Sequence, residues 1–179
     1  MGRQLKQLNS RLIRFIQNQK IFFVATAMEE GRVNLSPKGL DSLRVVDKRS
    51  VLWLNLTGSG NETAIHLQNT NRITLMFCAF EGDPMILRLY GRARSHKKGT
   101  EFWQKNISLF PNIAGSRQLV DVDIEKVQIS CGMGVPLMEF KEERQSLIDW
   151  AEKQGEKGLE KYWKRKNSKS IDGHPDTFD

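Results

Sequence analysis

The sequence predicts a mainly β, α+β domain: an antiparallel barrel or sandwich with flanking helices and a helical C-terminal extension. Three observations carry this. Short runs rich in Val, Ile, Leu and Phe recur between polar turns from Ile21 to Gly132. Helical apolar spacing is confined to the first 20 residues, two short patches mid-chain and the part beyond Glu142. The 179 residues suit one domain with a proper core.

Taken in order, residues 1–20 carry Arg3, Lys6, Arg11, Arg14 and Lys20 with no acid, while Leu5, Leu8, Leu12, Phe15 and Ile16 recur at helical spacing. This is read as a basic amphipathic packing helix. It runs straight into a strand without a cleavable linker, and Lys6 stands where a lipidation signal after Met1-Gly2 needs Ser or Thr. Ile21 to Ala27 and Arg32 to Ser36 form two antiparallel strands around a Glu29-Glu30-Gly31 turn. Further strands are expected at Leu43 to Val46, Val51 to Leu56, Ile73 to Phe80, Met85 to Arg94, Gln118 to Ile124 and Lys126 to Gly132.

Helices are expected at Glu62 to Asn69 and Thr100 to Leu109, and again from Glu142, where Gly155 and Gly158 would divide the segment into two. The resulting organisation is 1–140 for the barrel with its N-terminal helix, 141–166 for charged helices packing on the barrel or a partner subunit, and 167–179 for a loosely held polar tail.

Composition removes several function classes. No apolar run approaches the ~18–20 residues that cross a bilayer, so no membrane span is expected. The 28 Lys and Arg against 21 Asp and Glu give +7 and favour anionic partners. Without zinc-finger spacing or an RNA-binding signature, nucleic acid rests on charge alone and is not the expected partner. Cys78 and Cys131 sit in apolar settings and fit reduced, mostly buried thiols in a cytoplasmic protein, with no metal site. His66 lies in an apolar helical setting, His96 in a basic turn and His174 in the tail; no hydrolase motif surrounds them, so a cofactor is the expected carrier of any reaction.

Two clusters have the chemistry of a phosphate site. In Asn34-Leu35-Ser36-Pro37-Lys38-Gly39, Asn34 and Ser36 share one face of an alternating strand and Lys38 follows just past it. The same residues also read as a surface turn. In Thr57-Gly58-Ser59-Gly60-Asn61-Glu62-Thr63, free amides at a helix start suit an anion. Ser59 as N-cap with Glu62 as its capping-box partner is an equally available account, and the Glu62 charge opposes a phosphate.

In order and spacing, these blocks together with Phe22 to Ala27, Asn71 to Leu75 and Leu87 to Ala93 resemble the flavin-mononucleotide-binding split barrels related to pyridoxamine 5′-phosphate oxidase, over roughly residues 15–135. The resemblance implies a six-stranded antiparallel split barrel that forms a homodimer with FMN held between subunits. It implies that Asn34, Ser36, Pro37 and Lys38 line the cofactor, that Ser36 and Lys38 bind its phosphate or ribityl chain, and that Leu56 and Thr57 touch the ring through their backbone. Ser59, Asn61 and Thr63 would complete the phosphate site, with Arg88 a further candidate, while Trp103 is read as a core residue.

The sequence departs from that pattern in two places. Gly60-Asn61-Glu62-Thr63 replaces a basic Ser-Arg-Lys turn, and the C-terminus lacks the Arg-x-His substrate motif. Oxidation of pyridoxamine phosphate itself is therefore not expected. What the resemblance implies instead is an oxidoreductase acting on an unknown small molecule, with no catalytic residue identifiable; a non-catalytic flavin carrier or sensor is the alternative.

Overall fold

The computed structural model describes residues 2–177. Its architecture is set by two long strands, β7 (Ile86–Lys97) and β8 (Ser116–Ser130), which pair antiparallel along their length. β8 is one strand where two were expected, because a bulge absorbs the break: Tyr90 faces Lys126 and Gly91 faces Ile124, leaving Glu125 as the extra residue. Position 91 must be glycine there, since a Cβ would stand 2.0 Å from the Asp123 carbonyl oxygen.

The remaining strands are β1 (Arg3–Leu5), β2 (Phe22–Thr26), β3 (Asn34–Lys38), β4 (Leu43–Val45), β5 (Ser50–Leu56) and β6 (Arg72–Cys78). They give the antiparallel order β3-β2-β6-β7-β8-β5-β4, with β1 added on β8. Six strands of five residues or more match the expected barrel, and β1 and β4, of three residues each, are additional. The N-terminal segment differs from the single helix expected. Asn9 caps α1 (Ser10–Asn18) with a 3.0 Å bond to the Leu12 amide, and the residues before it pair with β8. Leu8 is buried from outside the helix, so its apolar spacing served the core and not a longer helix.

β5 is buried on both faces. Val51 and Trp53 join Phe22, Phe77, Leu75 and Leu87 in the barrel interior. Leu52 and Leu54 pack outward with Trp103, Phe110 and Ile113 around α3 (Glu101–Asn106), so Trp103 is a core residue as expected. α2 (Glu62–Asn69) lies across β2, β6 and β7. α4 (Ser146–Lys166) is interrupted only at Gly155, with φ of 63°; Gly158 continues the helix.

Residues 168–177 are held more firmly than the expected tail. Arg32 donates from its backbone N–H to Asp172 and pairs with it by side chain, Thr177 donates to Gln68, and Ser170 is buried. Phe178 and Asp179, also assigned to the tail, and Met1 of the N-terminal helix lie outside the described residues. Cys78 is buried but Cys131 is exposed, against the expectation for both thiols. Among the described residues no helix is long and apolar enough to cross a membrane, and no group of His, Cys, Asp and Glu is placed to hold a metal ion.

Candidate functional site

Strand alternation places Asn34, Ser36 and Lys38 on one half-buried face of β3 and leaves Leu35 and Pro37 exposed on the other. The Asn34 Nδ2 group donates to Thr63 Oγ1 at 3.0 Å and to Thr26 Oγ1 at 3.2 Å, so the two clusters meet. Beneath this junction His66 is fully buried, with Nδ1 3.1 Å from Thr26 Oγ1. It packs and hydrogen-bonds, as its apolar setting suggested.

Lys38 extends over the ring of Trp53, with Nζ 5.1 Å from the centroid. Burial, and secondarily the charge of Arg117, lower its ammonium from the ordinary 10.5 to about 8. Lys38 also borders a cleft of about 1320 Å³, which α1, the Ala79–Met85 turn and residues 129–147 enclose.

The second cluster folds differently from a Ser59 capping box. Asn61 holds the N-cap position of α2, and its side chain makes no cap bond. Instead Nδ2 donates to Asp176 at 3.2 Å, and the buried Oδ1 has no partner. Ser59 is exposed. Glu62 turns toward the C-terminal segment: one carboxylate oxygen accepts from the Ile171 amide at 2.9 Å, and the other lies 3.7 Å from His66 Nε2.

Thr57 is enclosed by its own chain. Its amide and hydroxyl donate to the Gly115 carbonyl at 2.8 and 2.7 Å, and Trp163 Nε1 donates to Thr57 Oγ1 at 2.9 Å. The Thr57 amide is thus committed within the chain. Leu56 packs against the outer core cluster. Arg88 stands apart from the junction, donating to Ser130 Oγ at 3.3 Å. The structure therefore joins Asn34 with Thr63, aligns Ser36 and Lys38 on the same β3 face and sets Asn61 in the adjoining cap, while Pro37, Ser59 and Arg88 point elsewhere.

Sequence reasoning missed Arg117, Trp163, Asn167 and Asp176. Arg117 is buried at the start of β8, where it donates to Asn167 Oδ1 at 2.7 Å and to the Gly60 carbonyl at 3.0 Å. The one signal for it was a lone cation two residues before the apolar Leu119-Val120 run of a strand.

Comparison with known proteins assigns the chain to a family. The sequence profile described as Pyridoxamine 5′-phosphate oxidase matches residues 9–131. The chain belongs to the pyridoxamine 5′-phosphate oxidase family. It is 34% identical to the pyridoxamine 5′-phosphate oxidase family protein ustO of Aspergillus flavus over 188 aligned positions, covering 95% of this chain and 76% of that one. Among solved structures, a Lactobacillus delbrueckii protein provisionally assigned as a pyridoxamine 5′-phosphate oxidase superposes with a TM-score of 0.55 at 17% identity, over 69% of this chain and 94% of its own. HupZ of Group A Streptococcus gives 0.53 at 20% identity, over 67% and 91%. At these identities the likeness to family structures is one of fold, and it agrees with the split barrel expected from the sequence.

Proposed function

We propose that the protein binds FMN against the wall that the Asn34-Ser36-Lys38 face of β3 makes with the first turn of α2. The observation that carries this reading is the Asn34 to Thr63 hydrogen bond, which makes one wall of two clusters that are separate in sequence. The residues present fit a phosphate-bearing flavin. Lys38 supplies a largely protonated ammonium near neutral pH, Ser36 and Thr63 supply hydroxyl groups, and the buried, unpartnered Asn61 Oδ1 is an acceptor suited to a ribityl hydroxyl.

When bound, the flavin supplies redox chemistry, and this chain's residues bind and orient it. The protein is then an oxidoreductase acting on a small molecule admitted through the cleft beside Lys38. A homodimer is part of the same reading. It is supported by the edge strand β3, with Leu35 62% exposed, and by the apolar residues Met133 and Leu137, 81% and 79% exposed, on the segment after β8. A cytoplasmic setting is part of the same proposal, in keeping with two cysteines that are not joined to each other.

The test is the visible absorption spectrum of purified protein after incubation with FMN and desalting. A retained flavin band is expected, and its absence at micromolar protein would contradict the reading. Bleaching of that band by a nicotinamide nucleotide supports the oxidoreductase. Retained flavin that no donor reduces supports the carrier or sensor.

A further inference from the structure

Arg117 is 7% exposed, and both of its hydrogen-bonded partners, the Gly60 carbonyl and Asn167 Oδ1, are neutral. Its Nε is buried without a partner. Among the described residues no carboxylate lies within ion-pair distance of it. A buried guanidinium without a direct counter-charge is costly, and it becomes favourable once an anion reaches it.

The surroundings fit such an anion. The Arg117 Nη2 bond to Gly60 places the guanidinium beside the N-terminal end of α2, where the helix dipole favours negative charge. Lys38 is a second cation close enough for the two to repel. A carboxylate of the chain lies along α2: Asp176 accepts from Asn61 Nδ2 at the N-cap at 3.2 Å and from Gln68 Nε2 in the last turn at 2.7 Å, and its charge opposes the lowering of Arg117 by burial. The opposing carboxylate, Glu62, accepts from the Ile171 amide through one oxygen, while the other is buried without a hydrogen-bond partner, 3.7 Å from His66 Nε2.

We propose that Arg117, together with Lys38, receives the phosphoryl group of the flavin at the N-terminal end of α2, in a place where Asp176 supplies the negative charge in the ligand-free chain. The proposal rests on the flavin reading above. A phosphate monoester carries nearly two negative charges near neutral pH, against one for the carboxylate, so it competes with Asp176 for the same cations. Asn167 and Asp176 belong to one C-terminal segment, and binding therefore shifts that segment relative to α2.

FMN and riboflavin differ only by the phosphoryl group, which makes their affinities the readout. Dissociation constants for both are measured by fluorescence quenching in the wild type, Arg117→Met, Arg117→Lys and Asp176→Asn, with folding checked by circular dichroism. The wild type is expected to prefer FMN by about tenfold or more, the scale of one charge-assisted hydrogen bond. Arg117→Met erases that preference while riboflavin binding stays; Arg117→Lys keeps part of it, and decides the matter if the Met variant does not fold; Asp176→Asn enlarges it. Equal losses for both flavins in the Arg117 variants overturn the role of Arg117. A smaller FMN preference in Asp176→Asn overturns the role of Asp176. If the wild type binds neither flavin, the flavin reading fails, and inorganic pyrophosphate decides separately: a rise in Tm in the wild type that Arg117→Met lacks keeps the anion site, and no rise removes it.

Discussion

The Asn34 side chain bridges the Thr63 and Thr26 hydroxyls, at 3.0 and 3.2 Å, and so fastens the edge strand β3 to α2 and β2 at one point. This contact spans 29 residues of sequence and turns two ambiguous turns into a shared wall. Asn34→Ala removes both bonds. At about 0.5–1.5 kcal/mol each, the expected loss is roughly 1–3 kcal/mol of stability in urea denaturation, with weaker FMN binding. An unchanged midpoint would show that β3 is anchored by its pairing to β2 alone.

Lys38→Ala is expected to weaken FMN binding by about 1.5–3 kcal/mol, the range for a charge-assisted hydrogen bond. An unchanged dissociation constant removes Lys38 from the site.

The same lysine gives a pH dependence. Folding lowers Lys38 from 10.5 to about 8, so between those values the unfolded chain binds more protons than the folded one. Stability attributable to Lys38 therefore rises as pH climbs through that window, while affinity for an anion falls as the ammonium deprotonates. Lys38→Met is expected to flatten both slopes. Parallel profiles in the wild type and the variant between pH 7.5 and about 10 would contradict the assignment.

Gly91→Ala drives a methyl group into the Asp123 carbonyl at the β7–β8 bulge. Thermal denaturation is expected to register about 1–3 kcal/mol of destabilisation or more, as overpacking does. A neutral result would mean that the two strands pair without the bulge.

Trp163→Phe keeps an aromatic ring, though a smaller one, and deletes the 2.9 Å N–H bond to Thr57. A loss of about 0.5–1.5 kcal/mol is expected. Limited proteolysis should then cut earlier within residues 164–177, and an unchanged digestion pattern would show that the segment is held elsewhere.

Much of the fold was legible because its signals are local. β2, β5 and β6 are apolar runs bounded by turn residues, and α2 begins and ends where its pattern does. β1 was hidden because Leu5 and Leu8 fall at helical spacing while serving strand pairing and the core, a choice made by the free edge of β8. The unity of β8 was hidden because a bulge looks like a turn until its partner is known. At the site, Asn34, Ser36 and Lys38 could be read from strand alternation. Arg117, Asn167 and Asp176 could not, because they reach the turn and N-cap before α2 through tertiary contacts across 57, 109 and 115 residues, and no local pattern records those.

The central claim is that the β3 face and the first turn of α2 hold one phosphate-bearing flavin. A crystal structure of the protein with FMN tests it most directly. The account predicts the phosphoryl group at the start of α2, its oxygens within hydrogen-bond distance, about 2.5–3.2 Å, of Thr63 Oγ1, a backbone amide there or the Arg117 and Lys38 side chains, with the rest of the flavin lying against the β3 face. Flavin bound with its phosphate away from both clusters would contradict it.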